Sequence, residues 1–377
     1  MIYGANARMA LDTIERRPTA GIPTGLVHIM EHGVIERLAD VYPGSYVNDP
    51  HGVYLKMQKN IGACLSEQYL ALNPLSMGDR GYDSGEHNNK GTNTGGRAVL
   101  DGMEILDADD AAEHIEKYLL PRLVKNVEDF NEHETIQQII NDESAIQTMI
   151  GPDILKAPDG RVDMPHLMYG AYGYEPFFTA YLFYPELMER VFALQADHAA
   201  LNNAAFVKAV NRAGLPKYAR IGHDMADSRG LLCSPASLEK VWVDHFIRSI
   251  KPLADDDFTI LWHCDGNLME LVPYLLEAGI NGFQGFQYED GMDYIEICKL
   301  KPKRGGDLVI QAGVSVTRTL PFGKPADVVK EIDFLVGHGT PHTFLSLSSS
   351  CVPGTPYENI KTCIDGMNYY RLNGRKR

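Results

Sequence analysis

Short runs rich in β-branched and aromatic residues alternate along this chain with longer stretches of helical periodicity, and no other feature constrains the fold as much. A strand, a helix and another strand in sequence need a crossover, so the strands run parallel and the helices cover them. Eight candidate strands are read at 24–30, 68–74, 166–173, 218–222, 258–263, 282–287, 308–313 and 342–347. Helical patterns fill 185–213, 235–253, 267–278, 324–337 and 355–371, and the first 18 residues also read as a helix. Ser234 with Pro235 marks one helix start, and Gly279 and Gly337 mark two helix ends.

The strand ends carry the polar residues. The fourth strand runs into His223, Asp224 and Asp227, and the fifth into His263, Cys264, Asp265, Gly266 and Asn267. The sixth ends in Gln284, Gln287, Glu289 and Asp290; the seventh contains Gln311; the eighth runs into Ser348, Ser349, Ser350 and Cys351. Polar groups on the C-terminal side of strand after strand mark the working face of a (β/α)8 barrel, and an open doubly wound sheet also binds there. The 377 residues fit one α/β domain, 1–377, whose loops carry insertions. Residues 78–150 break the rhythm and read as an insertion at the C-terminal face of the strands. Within it, 81–97 is a Gly- and Asn-rich loop of the kind that serves as a lid or a binding loop, and 108–131 and 132–150 are helical.

Composition narrows the function. A net charge of −15 without a concentrated basic run argues against nucleic acid and against anionic membranes. No apolar stretch reaches the roughly 20 residues of a spanning helix, and the N-terminus lacks the apolar core of a signal peptide, so the expected location is cytoplasmic. Six scattered cysteines without a CxxC pair read as reduced thiols.

Three constellations can carry chemistry. Alternate residues of a strand face one side, so His263 and Asp265 share a face that Cys264 does not. An imidazole and a carboxylate converging at a strand end suit a metal or acid–base work, with Cys351 as a further ligand. Equally, Asp265 could cap the following helix and His263 could be a hydrogen-bonded core residue. His223, Asp224 and Asp227 form the second cluster, read as substrate binding, general acid–base catalysis or turn chemistry, with His223 and Asp224 the candidate catalytic residues. His28, Glu31 and His32 form the third; a polar helix start is the commoner fate of such a run. His28, Glu175, Gln287 and Gln311 are the expected substrate contacts. Tyr169, Tyr172, Tyr174, Phe177 and Phe178 could line an apolar pocket or simply pack. No phosphate-binding loop or GxSxG nucleophile elbow is present.

The run ILWHCDGN from Ile260, with Val272-Pro273 and Glu277 to Ile280, resembles the uroporphyrinogen decarboxylase superfamily. So do Cys233-Ser234-Pro235, Gly354 to Ile360 and, loosely, Arg16-Arg17-Pro18 with Ile22-Pro23. The resemblance spans roughly 160–370 and implies a (β/α)8 barrel. The decarboxylase branch carries an N-terminal arginine-rich signature that grips substrate carboxylates; this chain has GLVHIMEHG from Gly25 instead, which sets porphyrinogen decarboxylation aside. The corrinoid-dependent methyltransferase branch binds zinc through His-x-Cys and a distant Cys. His263 matches the first ligand and Cys351 the distant one, while the middle position holds Asp265, with Cys264 one residue early. The resemblance therefore implies zinc on His263, Asp265 and Cys351. It also implies a methyl group passed from a small donor, preferably an aromatic methyl ether, to a cobalt corrinoid (cobalamin) on a partner protein. A homodimer is compatible with it. The rival expectations are a metal-independent decarboxylase or lyase and a non-catalytic tetrapyrrole-binding protein.

Overall fold

The computed structural model describes residues 2–25, 28–72, 98–285, 288, 291–351 and 353–375. It is a mixed α/β architecture centred on a five-stranded parallel sheet. Seven short parallel strands matter for the site. They are β1 (Leu65–Ser66), β2 (Leu155–Lys156), β3 (Tyr218–Gly222), β4 (Thr259–His263), β5 (Gly282–Gln284), β6 (Val309–Val314) and β7 (His342–Leu347). The five-stranded sheet has the order β7-β6-β5-β4-β3, and β1 pairs with β2 in parallel. Backbone links continue beyond both edges of the sheet. Thr24 bridges Leu345 of β7, and Gly25 N donates to Leu345 O at 2.8 Å. Cys64 N and Leu65 N donate to Thr24 O, and Asp159, just past β2, bridges Arg220 of β3.

Alternation along these strands creates two separate cores. Leu65, Leu155, Ala157, Tyr218, Leu261, Val309 and Phe344 pack together with Ala7, Ala10 and Ile14 of the N-terminal helix Ala5–Ile14. Their neighbours Ala219, Ile260, Trp262, Phe283, Ile310, Ala312 and Leu345 belong to the larger layer between strands and helices. The N-terminal helix closes the end where the strands begin: Thr259, the first residue of β4, donates through Oγ1 to Ile14 O at 2.7 Å. The opposite, C-terminal ends are left for the site.

Helices appear where the punctuation predicts, with some shifts. Glu132–Ile150 and Pro185–Ala213 match the expected bounds, the former capped by Asn131 Oδ1 accepting from Glu134 N at 3.2 Å. Glu132–Ile150 packs along Pro185–Ala213 and leads directly into β2, so this part of the expected insertion covers the outside of the strands. The expected helix at 235–253 is two helices, Pro235–Val241 and Val243–Asp255, parted at Trp242, whose buried Nε1 donates to Pro165 O at 2.9 Å. Gly337 does not end its helix: Pro325–His338 continues to His338, and Gly339 follows.

The strand expected at 166–173 is instead the short helix Tyr169–Tyr172 with its flanks. Tyr169 and Tyr172 are both buried, three residues apart, which is helical and not strand spacing. The strand before β3 is β2, two residues between Pro152 and Pro158, too short for periodicity to reveal. Likewise β1 lies just ahead of the expected 68–74, and the described residues of 24–30 make isolated bridges at Thr24 and Ile29. The loop at 81–97, read as a lid or a binding loop, lies outside the described residues. All six cysteines are free thiols. No helix among the described residues is long and apolar enough to cross a membrane.

Candidate active site

The site starts from the alternation of β4. Leu261 points into the inner core and His263 lines a central cavity, while Trp262 and Cys264 are fully buried in the outer apolar layer. Cys264 is thus remote from water, and burial pushes its thiol up to about 12. The chain then turns sharply. Gly266 adopts φ +86°, and a Cβ on it would meet Asp227 O at 2.7 Å. Glycine here lets the loop after β4 lie against the loop after β3, where Asn267 N donates to Asp227 O at 2.9 Å. Asp265 N in turn donates to Asp224 Oδ1 at 3.2 Å.

These contacts bring together three groups that could hold a metal ion. Asp224, His263 and Asp265 each offer one ligand atom, and the three atoms lie within 4.8 Å of one another. His263 is suited to such a role. Burial first, and the Arg220 charge second, pull its imidazole down to about 3, so the ring is neutral at physiological pH. Its Nδ1 is buried without a hydrogen-bond partner, and Gly285, at φ +81°, lies so close that a Cβ there would sit 2.8 Å from that nitrogen. One imidazole and two carboxylates form a harder donor set than thiolates, suited to zinc or another divalent ion and to activating oxygen.

The set stands between two cavities. The inner one, about 170 Å³, is lined by His28, Glu67, Gln68, Arg220, His263, Gln284 and residues 346–350. Its polar network is tied together: Tyr218 donates to Glu67, Arg220 Nε donates to Gln284 Oε1, and Gln284 Nε2 donates to Glu67 Oε1 at 2.9 Å. Arg220 also faces Asp159 at 3.5 Å. Burial works against the Arg220 charge, but the Glu67 and Asp159 carboxylates outweigh it and hold its pKa above the ordinary value. The outer cavity, about 450 Å³, is lined by Tyr169, Tyr174, Asp224, Arg229, Leu232 and Asp265 among others. Tyr169 donates to Asp224 O at 2.7 Å and packs on Tyr174 and Phe178, with ring centroids 4.8 and 5.6 Å away. A larger groove of about 700 Å³ lies among the outer helices, lined by Asn131, Arg161, Asp163 and His198, away from this set.

The other residues expected from sequence fall in different places. Cys351 is 1% exposed, belongs to the outer apolar layer, and is not part of the Asp224–His263–Asp265 set. Burial raises its thiol to about 11, with Thr355 opposing. His223 packs behind Tyr169 and against His166, with centroids 5.4 and 5.3 Å away; burial, then His166, lowers it to about 4. His28 lines the inner cavity, with Nδ1 2.7 Å from Ser350 Oγ. Glu31 and His32 part from it: Glu31 accepts from Gly354 N and His32 stacks on Tyr46. Gln311 sits in register beside Gln284. Glu175 is exposed on the helix Tyr174–Phe183 and lines neither cavity, and Gln287 lies outside the described residues. Sequence reasoning missed Glu67 and Arg220. The available signal was a charge two residues after Tyr218 within an apolar strand, on the same face.

No family model matches the chain, and no curated protein matches it. Among solved structures, a methyltransferase from Methanosarcina mazei is similar with a TM-score of 0.58 and 15% identity, over 97% of this chain and 98% of that one. A putative vitamin-B12 independent methionine synthase from Listeria monocytogenes aligns with a TM-score of 0.45 and 14% identity, over 94% and 96% of the two chains. The first similarity establishes a shared fold along nearly the whole chain.

Proposed function

We propose that this chain is a (β/α)8-barrel methyltransferase that takes a methyl group from a small donor, an aromatic methyl ether, and passes it to a cobalt corrinoid on a partner protein. The backbone links through Thr24, β1, β2 and Asp159 support closure of the sheet, with Thr24 as the first strand position and the inner core as the barrel interior. The observation that carries the function is the Asp224–His263–Asp265 set at the C-terminal ends of adjacent strands, beside an open pocket with Tyr169 and Tyr174 in its wall.

In this reading Asp224, His263 and Asp265 hold zinc, and Cys351 does not join them. When bound, such an ion supplies Lewis-acid stabilisation to a leaving oxygen. The chain's own residues position the donor. Tyr169 and Tyr174 offer ring faces in a cavity of about 450 Å³, room for a substituted aryl ring. The Tyr169 hydroxyl, fixed on Asp224 O, ties the aromatic wall to the ligand loop. Asp224 Oδ1, accepting from Asp265 N, holds the two carboxylates at their mutual spacing. The corrinoid approaches from the open side.

The test is a transfer assay. The zinc-loaded chain is mixed with an aryl methyl ether and free cob(I)alamin, and absorbance follows the corrinoid. The ether C–O bond breaks with its electron pair left on oxygen, and the cobalt(I) pair forms the new bond to carbon. Methylcobalamin and the free phenol are expected in equal amounts, falling at least a hundredfold in His263→Ala. Failure of a metal-loaded chain across a panel of methyl donors, with carbon dioxide released from carboxylated ones, would favour the decarboxylase reading instead.

A further inference from the structure

A carboxylate that lines neither cavity reaches the ligand set through a chain of contacts. The connection between β5 and the helix Tyr294–Lys299 is described at Gly285, at Tyr288 and from Gly291 onward. Gly285 lies against the His263 ring, where a Cβ would stand 2.8 Å from Nδ1. Gly291, at φ +102°, lies against Asn267, where a Cβ would stand 2.6 Å from Nδ2. Asn267 N is the donor that joins the loop after β4 to Asp227. These two glycines therefore touch the run that carries the ligands on either side of Asp265. Tyr288 stands between them in the chain. Its backbone oxygen accepts from Gly291 N at 3.2 Å, and its hydroxyl donates to Glu331.

Glu331 belongs to the helix Pro325–His338 and is half-buried. The Oε1 atom that accepts from Tyr288 also accepts from Ser315 N at 2.6 Å, and Ser315 directly follows β6. One carboxyl oxygen thus ties the connection after β5 to a sheet strand and to a covering helix. The titratable groups that face it are the Tyr288 hydroxyl and, from the helix Tyr357–Asn373, the Cys363 thiol, which burial keeps protonated. No cation among the described residues offsets its burial. Placing a carboxyl there is costly, and packing alone would be served by Leu or Met. A residue that breaks the local rule in this way is expected where a site has to be held in place. The Tyr288 ring, 6.2 Å from Phe334, would pack as well if it were Phe, so its hydroxyl is the part that makes the link.

We propose that Glu331 is a positioning residue of the site: through Tyr288 it seats Gly285 against His263 and Gly291 against Asn267, and so fixes where the imidazole stands relative to Asp224 and Asp265. Its effect on zinc rests on the reading of those three residues as a metal set. The seating itself does not.

The test uses the full chain and removes one hydroxyl at a time. Tyr288→Phe breaks the link to Glu331. Tyr370→Phe is the control, because its hydroxyl donates to Asp333 on the same helix at 2.5 Å and Tyr370 lines neither cavity. Zinc affinity is measured by competition with a chelator. Hydrogen exchange of the peptide that carries the Asn267 amide is followed by mass spectrometry on the metal-free chain. Tyr288→Phe is expected to weaken zinc about tenfold and to speed that exchange by a similar factor, while Tyr370→Phe stays near wild type in both. Glu331→Met, which removes the acceptor, should match Tyr288→Phe. Glu331→Gln, whose amide oxygen accepts from both donors, should restore wild-type values. Exchange in Tyr288→Phe no faster than in Tyr370→Phe, or equal loss of zinc from both, would overturn the proposal. A wild-type chain that takes up no zinc removes the metal set, and the exchange comparison still decides the seating.

Discussion

At the scale of single residues, the site turns on the direction in which neighbours point. His263 faces the cavity and Cys264 the apolar layer, although Cys264 is chemically the stronger metal ligand. Its burial keeps the thiol protonated at physiological pH. The same logic separates Asp224, which the loop contact draws to Asp265, from Cys351, which lies in the outer layer. Two substitutions therefore have opposite outcomes. Asp224→Ala is expected to lower zinc occupancy at least tenfold, read by elemental analysis of the purified protein. Cys351→Ser is expected to leave occupancy unchanged, and a zinc-free Cys351→Ser protein would restore the thiol to the ligand set. Glu331 offers a separate pH signature. Burial lifts its carboxyl to about 7, with the Ser315 N–H opposing, and Tyr288 also donates to it. The folded state thus binds its proton more tightly than the unfolded state does. This contribution is full below the ordinary carboxyl range and is lost as pH rises from about 5 to 7. Glu331→Gln should flatten that part of the stability–pH curve, measured by urea melts, by an amount on the order of 1–3 kcal/mol. An unchanged slope would place the carboxyl in ordinary solvent.

At the scale of elements, the loops after β3 and β4 are assembled by a close backbone approach at Gly266. A Cβ there meets Asp227 O and must also adopt φ +86°. Gly266→Ala should destabilise the protein by about 1–3 kcal/mol and loosen zinc binding together with it. A variant with unchanged melting and unchanged zinc affinity would show that the two loops do not depend on this contact. The strands that position the site were legible to different degrees. Those from β3 to β7 carry three or more residues of clear pattern, so their places emerge from periodicity. By contrast, β1 and β2 are two residues each, and the aromatic run at 169–172 resembles a strand while folding as a helical turn. Short elements held by neighbours leave no period to read. His263, Asp265 and Asp224 were legible because strand ends announce themselves. Glu67 and Arg220 were not, because their pairing joins residues far apart in sequence.

At the scale of the whole molecule, one inner core and one outer layer divide the labour. The N-terminal helix seals the end where the strands begin, and the polar residues collect at the other, where two cavities flank the ligand set. The outer cavity sets Tyr169 and Tyr174 beside Asp224, Asp227, Arg229 and Asp265; the inner one is smaller and polar. The similarity to the Methanosarcina mazei methyltransferase covers nearly all of both chains, so the division is set out on a whole shared fold. The most direct test is an anomalous difference map at the zinc edge from crystals grown with zinc. The account expects one strong peak within bonding distance of Asp224, His263 and Asp265, about 2.0–2.2 Å from each ligand atom. A map with no peak there, or with zinc bound at Cys351, would contradict it.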